Sequence, residues 1–215
     1  MLLAGLIIAF FLPLALSEWI GQTHIIYYDK LFYSRFFYWG TILTLLLYAR
    51  MVERQPLLII TESKPPAGTF LVWVLVLYLL FIVAAIVSAI PALFGLHEDN
   101  AMIKVIAKLL TGHEWMVFFL ALTAGVTEEL IMRGYILTRL LQLSKSPVIA
   151  IVVSSLMFSA LHYRYNSLRE LIFAFMIGAI YGAFYVKYRN IKAIMIAHFL
   201  IDFINMSLAT HLKLK

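Results

Sequence analysis

Seven long runs of apolar side chains, at residues 2–20, 31–48, 70–94, 115–141, 147–161, 168–186 and 191–208, fix what this chain can become. The hydrocarbon core of a bilayer, roughly 30 Å thick, is crossed by about 20 apolar residues in a helix, and most of these runs have that length. None shows the alternation of apolar and polar residues that marks a membrane β-strand, so helices remain the way to satisfy the backbone in lipid. Composition agrees: 64% of residues are hydrophobic, 13% are charged and the mean hydropathy is +0.96, well outside the balance of a soluble domain. The expected architecture is all-α, a polytopic transmembrane bundle of about seven to eight helices, forming one integral membrane domain over residues 1–215.

The segments between the runs carry their own signals. Residues 50–68 hold Glu53, Arg54, Glu62 and the pair Pro65-Pro66, which reads as an interfacial stretch ending in a helix breaker and as the best candidate for a hinge. Residues 96–114 set Glu98, Asp99, Lys104 and Lys108 around Met102, Ile103, Val105, Ile106, Leu109 and Leu110, the spacing of an amphipathic helix lying on the membrane. The first run lacks a basic leader, so an uncleaved first span is expected. Trp19, Trp39, Trp73 and Trp115 fall near run ends as interfacial anchors. His24, His97, His113 and His211 read as surface residues.

Charge and cysteine usage exclude several function classes. The absence of cysteine removes disulfides, thiolate ligands and a cysteine nucleophile. The net charge of +6 comes from scattered Lys and Arg without a basic block, which points to membrane lipid as a partner and away from nucleic acid. Counting cations in alternate loops, with Arg139 on one side and Arg35 on the other, gives a balance and no orientation.

An ionisable residue deep in a bilayer costs several kcal/mol and is a functional hypothesis by default. Glu128, Glu129 and Arg133 lie inside the fourth run, His198 and Asp202 inside the seventh, and His162 just past the end of the fifth. Helical residues four apart share a face, so Glu129 can pair with Arg133, leaving Glu128 to project elsewhere. His198 and Asp202 share a face in the same way, as do Phe158 and His162. Three helices can thus aim Glu128, His162 and His198/Asp202 at one point. That set suits hydrolysis, with a carboxylate as general base for water and imidazoles that stabilise an oxyanion. It equally suits Zn²⁺ held by Glu128, His162 and His198 with an open position, and the sequence leaves both readings open. Ser154, Ser155 and Ser159 read as small packing residues, and Gly178 with Gly182 as a close helix contact.

The pattern resembles the CPBP family, the CAAX proteases and bacteriocin-processing enzymes that include type II prenyl-protein endopeptidases and bacterial Abi proteins. The EExxxR motif of that family corresponds to Glu128-Glu129-Leu130-Ile131-Met132-Arg133, its FxxxH to Phe158 through His162, and its HxxxN/D to His198 through Asp202. Each motif is weak alone. All three in order, each on its own apolar run, make a specific signal over residues 115–208, the expected catalytic core. The resemblance implies an intramembrane endopeptidase acting on a membrane-associated protein or peptide. In it Glu128 would activate water, His162 would position water or substrate, and His198 with residue 202 would stabilise the oxyanion. Glu129, Arg133 and Phe158 would support the site. Many members carry Asn at the last motif position; Asp202 here donates a hydrogen bond only when protonated, and otherwise orients His198 or binds a metal.

Two other readings use the same residues. One is a non-catalytic scaffold or bacteriocin-immunity protein of the same fold, which the intact set of Glu128, His162 and His198 disfavours. The other is a transporter with a proton relay, which the lack of repeat symmetry disfavours.

Overall fold

The computed structural model describes residues 1–96 and 101–211, and the described chain is built from helices. They are α1 (Leu2–Gly21), α2 (Tyr27–Tyr48), α3 (Ala67–Leu93), α4 (Ala101–Leu110), α5 (Glu114–Ser144), α6 (Pro147–Leu161), α7 (Leu168–Tyr188) and α8 (Ile191–His211). Six of them, all but α2 and α4, are long and apolar enough to cross a membrane. The chain is an integral, multi-pass membrane protein. The second apolar run, expected to be a span, does form the 22-residue α2 but falls outside that group, because Asp29, Lys30, Arg35 and several tyrosines fill its first half.

Turn and cap residues set the three tight joints of the C-terminal half. Lys145, Asn166 and Arg189 each turn the chain with positive φ, and each is followed by a polar cap. Ser146 Oγ accepts from Ile149 N at the start of α6, Ser167 Oγ from Glu170 N at the start of α7, and Asn190 Oδ1 from Ala193 N at the start of α8. Each cap satisfies one of the orphan amides of a helix start, and Pro147 occupies a first-turn position where its missing N–H is no loss. Of the helices so joined, α6 and α7 pack closely, where a Cβ on Gly178 would come 3.0 Å from Ser155 Cα. Ser154 and Ser155 return their hydroxyls to Ile151 O, and Ser159 donates to Leu171 O at 2.7 Å across the joint, as packing residues do.

Around this hairpin, α5 lies along α8, α3 crosses α7 and α8, and α1 and α2 pair and lean on α5. Helix α3 turns Leu71, Leu75, Leu79, Val83 and Ile86 outward, all exposed, which in a bilayer is lipid contact. Trp19, Trp39 and Trp115 are exposed too, whereas Trp73 packs its ring edge against Phe184 at 5.5 Å and is partly buried. His24, His113 and His211 are exposed; His97 lies outside the described residues.

Two expectations for the inter-helix segments change. The amphipathic stretch forms as α4, but its apolar side, with Ile103 and Ile106, walls a cavity and packs on α5 and α8; Glu98 and Asp99 lie outside the described residues. The proposed hinge is stapled at both ends. Glu53, in a π-helical turn that ends α2, is buried against Arg139, whose guanidinium also donates to Pro56 O and Leu57 O. Further along, Glu62 accepts from Tyr185 Oη and Ile191 N, and Ser63 N donates to Arg189 O. Arg139, counted above as a loop cation, has a side chain with 0% exposure. Backbone groups without a helix need partners, and here charged side chains of the core supply them.

Candidate active site

Helix α5 carries two adjacent carboxylates, and the geometry gives them different surroundings. One turn earlier, Gly125 leaves room for the backbone of α8: a Cβ there would stand 2.9 Å from Met195 O and 2.9 Å from Phe199 N. That approach sets His198 beside Glu129, and His198 Nδ1 donates to Glu129 Oε1 at 2.7 Å. Arg133 Nη1 donates to the same oxygen at 2.9 Å, the i,i+4 pair expected from spacing. The rest of the guanidinium is held between the rings of Phe158, 4.7 Å away, and Tyr181, 5.5 Å away, with Nη2 at 3.5 Å from Ile177 O. Phe158 therefore has a second task besides backing His162, whose ring it meets edge-on at 4.8 Å. Glu129 Oε2 and the Tyr181 hydroxyl are buried without a hydrogen-bond partner among the described residues.

Beyond Glu129 the α5 helix continues through π-helical turns, Leu130–Leu137, that carry Arg133. Such turns are frequent where a helix must re-aim side chains at a site. Glu128 points away from the Glu129 network, and its side chain keeps 16% exposure. Its ion-pair partner is Arg35 of α2, Nη1 to Oε1 at 3.7 Å.

The histidines are held by their own helices. His162 ends α6 with Nδ1 2.9 Å from Phe158 O. A carbonyl only accepts, so Nδ1 carries the proton and Nε2 of the neutral ring keeps its lone pair. Tyr165 stacks on that ring at 5.9 Å. On α8, His198 Nε2 faces Asp202 Oδ2 at 3.5 Å, so the ring has a carboxylate at each nitrogen.

Glu128, His162, His198 and Asp202 line one cavity of about 430 Å³. Arg35, Tyr165 and Tyr181 add polar groups to its lining, and Phe81 of α3, Ile103 and Ile106 of α4 and Phe173 of α7 add apolar ones. All four residues singled out as catalytic are thus brought together, with Glu129, Arg133 and Phe158 directly behind them. Arg35 escaped the sequence reading, which counted it with the loops although it lies inside an apolar run. Tyr165, Tyr181 and Gly125 escaped it as well; an aromatic or a glycine in a span carries no signal of its own.

The zinc alternative fits this donor set poorly. Among the described residues no three His, Asp or Glu side chains are grouped to hold a metal ion. His198 has both ring nitrogens turned to carboxylates, and Glu128 is turned to Arg35. The arrangement does supply a carboxylate with access to a cavity, a ring nitrogen with a lone pair, and hydrogen-bond donors, in a lining that includes many apolar side chains.

Residues 111–204 match the family model described as type II CAAX prenyl endopeptidase, Rce1-like. The matched stretch runs from just before α5 into the second half of α8 and contains all three motifs. No curated protein and no solved structure matches the chain.

Proposed function

Residues 111–204 are a domain of the Rce1-like family of membrane CAAX endopeptidases, and from that premise we propose that this chain is an intramembrane endopeptidase that hydrolyses a peptide bond in a membrane-associated protein or peptide. The observation that carries the reading is the convergence of Glu128, His162, His198 and Asp202 on one largely apolar cavity.

Glu128 is the general base. Alone among the site carboxylates it is free of the Glu129 network and keeps access to the cavity, as a base that must meet water requires. It takes a proton from water, and the water oxygen adds to the scissile carbonyl carbon while the carbonyl electrons move to oxygen. His198 keeps its Nδ1 hydrogen bond to Glu129, and its Nε2–H, held by Asp202 only at 3.5 Å, turns from that carboxylate to the oxyanion as it forms. His162 positions water through Nε2. The C–N bond then breaks as Glu128 returns its proton to the leaving amine. Glu129 and Arg133 hold His198 without touching the substrate. The apolar side chains that α3, α4 and α7 contribute to the cavity accept the hydrophobic residues or lipid group of a membrane-bound substrate.

The test is cleavage of a panel of membrane peptides by the detergent-solubilised protein, wild type against Glu128→Gln, each with and without a chelator. Cleavage by the wild type that Glu128→Gln abolishes and the chelator spares supports a glutamate-activated water without metal. A folded wild type as silent as the variant on every peptide would leave the scaffold reading in its place.

A further inference from the structure

One charged side chain in the cavity wall comes from outside the matched domain. Arg35 is in the third turn of α2, far upstream of residue 111, and its guanidinium lines the same cavity as Glu128. The pair spans two helices, at 3.7 Å, with 17% and 16% of the side chains exposed. Neither partner is sealed in the core; both look into the cavity.

The surroundings of Arg35 present it rather than merely accommodate it. Phe32 and Phe36, one turn before and one residue after, meet Phe119 of α5 at 5.0 Å and 6.4 Å and pin α2 against the catalytic helix. The guanidinium lies over the Tyr38 ring at 5.0 Å, and Nε donates to Ser34 Oγ at 3.4 Å. Aromatic contacts thus join the two helices, and the ion pair is an addition to that joint. Of the carboxylates that line the cavity, Asp202 faces His198 Nε2 at 3.5 Å, and the one that meets Arg35 is Glu128.

We infer that Arg35 is a positioning residue for Glu128, supplied by α2 to a domain that lacks it: it turns the Glu128 carboxylate to the cavity and offsets its charge, so that Asp202 is tolerated in the same space. The inference rests on the reading of Glu128 as the base. At 3.7 Å the contact is loose enough to leave carboxylate lone pairs for water. The Rce1-like segment without α2 has an unheld base.

Two measurements on the full chain test this. In the first, kcat and KM are compared for wild type, Arg35→Met and Arg35→Lys on a cleaved peptide. Misplacing a catalytic group by about 1 Å costs on the order of 100-fold, so Arg35→Met should lower kcat by about 30-fold or more with KM nearly unchanged, and Arg35→Lys, which keeps the charge, should recover most of it. A wild-type kcat in Arg35→Met, a change confined to KM, or a lysine variant no better than methionine overturns the inference. The second needs no activity. The chain contains no cysteine, so Arg35→Cys with Glu128→Cys offers a clean pair for a bifunctional thiol reagent in native membranes, read as linked peptides by mass spectrometry. Linked peptides beside a wild type that cleaves nothing uphold the pair and overturn the endopeptidase reading instead. Peptides that stay unlinked overturn the inference whatever the activity.

Discussion

Helix α5 carries two buried arginines, and each meets a buried glutamate, yet the two networks are finished differently. Arg139 donates through Nε and Nη2 to Glu53 Oε2 and through Nη1 and Nη2 to Leu57 O and Pro56 O, while Tyr135 Oη donates to the other Glu53 oxygen. Every oxygen there is used. Gly5 of α1 lies so close that a Cβ would collide with Tyr135 Oη. Arg133, within the π-helical turns, shares one Glu129 oxygen with His198 and rests on two aromatic faces, and the second oxygen of Glu129 has no partner among the described residues. The same pair of residue types is a sealed staple in one place and an incompletely satisfied support beside a cavity in the other. A protein keeps a buried polar group under-satisfied where its geometry serves something besides stability.

That contrast is broken most severely by Arg139→Ala, which strands Glu53 in the interior. Leaving a buried charge without its partner costs about 3–5 kcal/mol, so the variant should melt far below wild type in detergent. The double variant Arg139→Met with Glu53→Gln should lose less than the single one, because no charge is left stranded. A single variant as stable as wild type would remove the staple from the account.

The next effect is at the helix contact that serves the site. Gly125→Ala inserts a methyl against the α8 backbone, an overpacking expected to cost about 1–3 kcal/mol and to move His198 from Glu129, with a fall in cleavage rate. Gly182→Ala, whose Cβ would meet Ile151 at an ordinary 3.5 Å, should change stability by no more than about 0.5 kcal/mol. Equal melting temperatures for the two would show that α5 and α8 can part freely.

Glu129→Gln sharpens the comparison from the other side. The amide still accepts one hydrogen bond, so the loss of stability should be about 1–3 kcal/mol, below that of Arg139→Ala. Cleavage should fall by about two orders of magnitude as His198 loses its orientation. Full activity with a collapsed melting curve would reverse the assignment of the two networks. Small too should be the effect of Ser159→Ala, which removes one hydrogen bond to Leu171 O in a membrane helix pair: about 0.6 kcal/mol, with cleavage unchanged.

Much of the site was legible because it obeys helical periodicity. Glu129 with Arg133, Phe158 with His162, and His198 with Asp202 are each four apart, and each pair meets in the structure. The segment 50–68 misled for a physical reason: its prolines and charges do mark a break in helix, but composition does not reveal that Arg139 and the start of α8 fasten the break to the core. Arg35 misled in the same way, since a cation near the start of an apolar run looks alike whether it reaches back to the headgroups or inward to a carboxylate.

The membrane, the all-helical class, the joints between the last helices and the residues that share a face on any one helix can all be read along the chain, because hydrophobic length and the 3.6-residue period are local properties. Which faces meet is set by packing between helices. Glu53 with Arg139, Gly125 under α8 and Arg35 with Glu128 depend on the rotation of each helix about its axis, and that rotation is set by the packing of all its neighbours together.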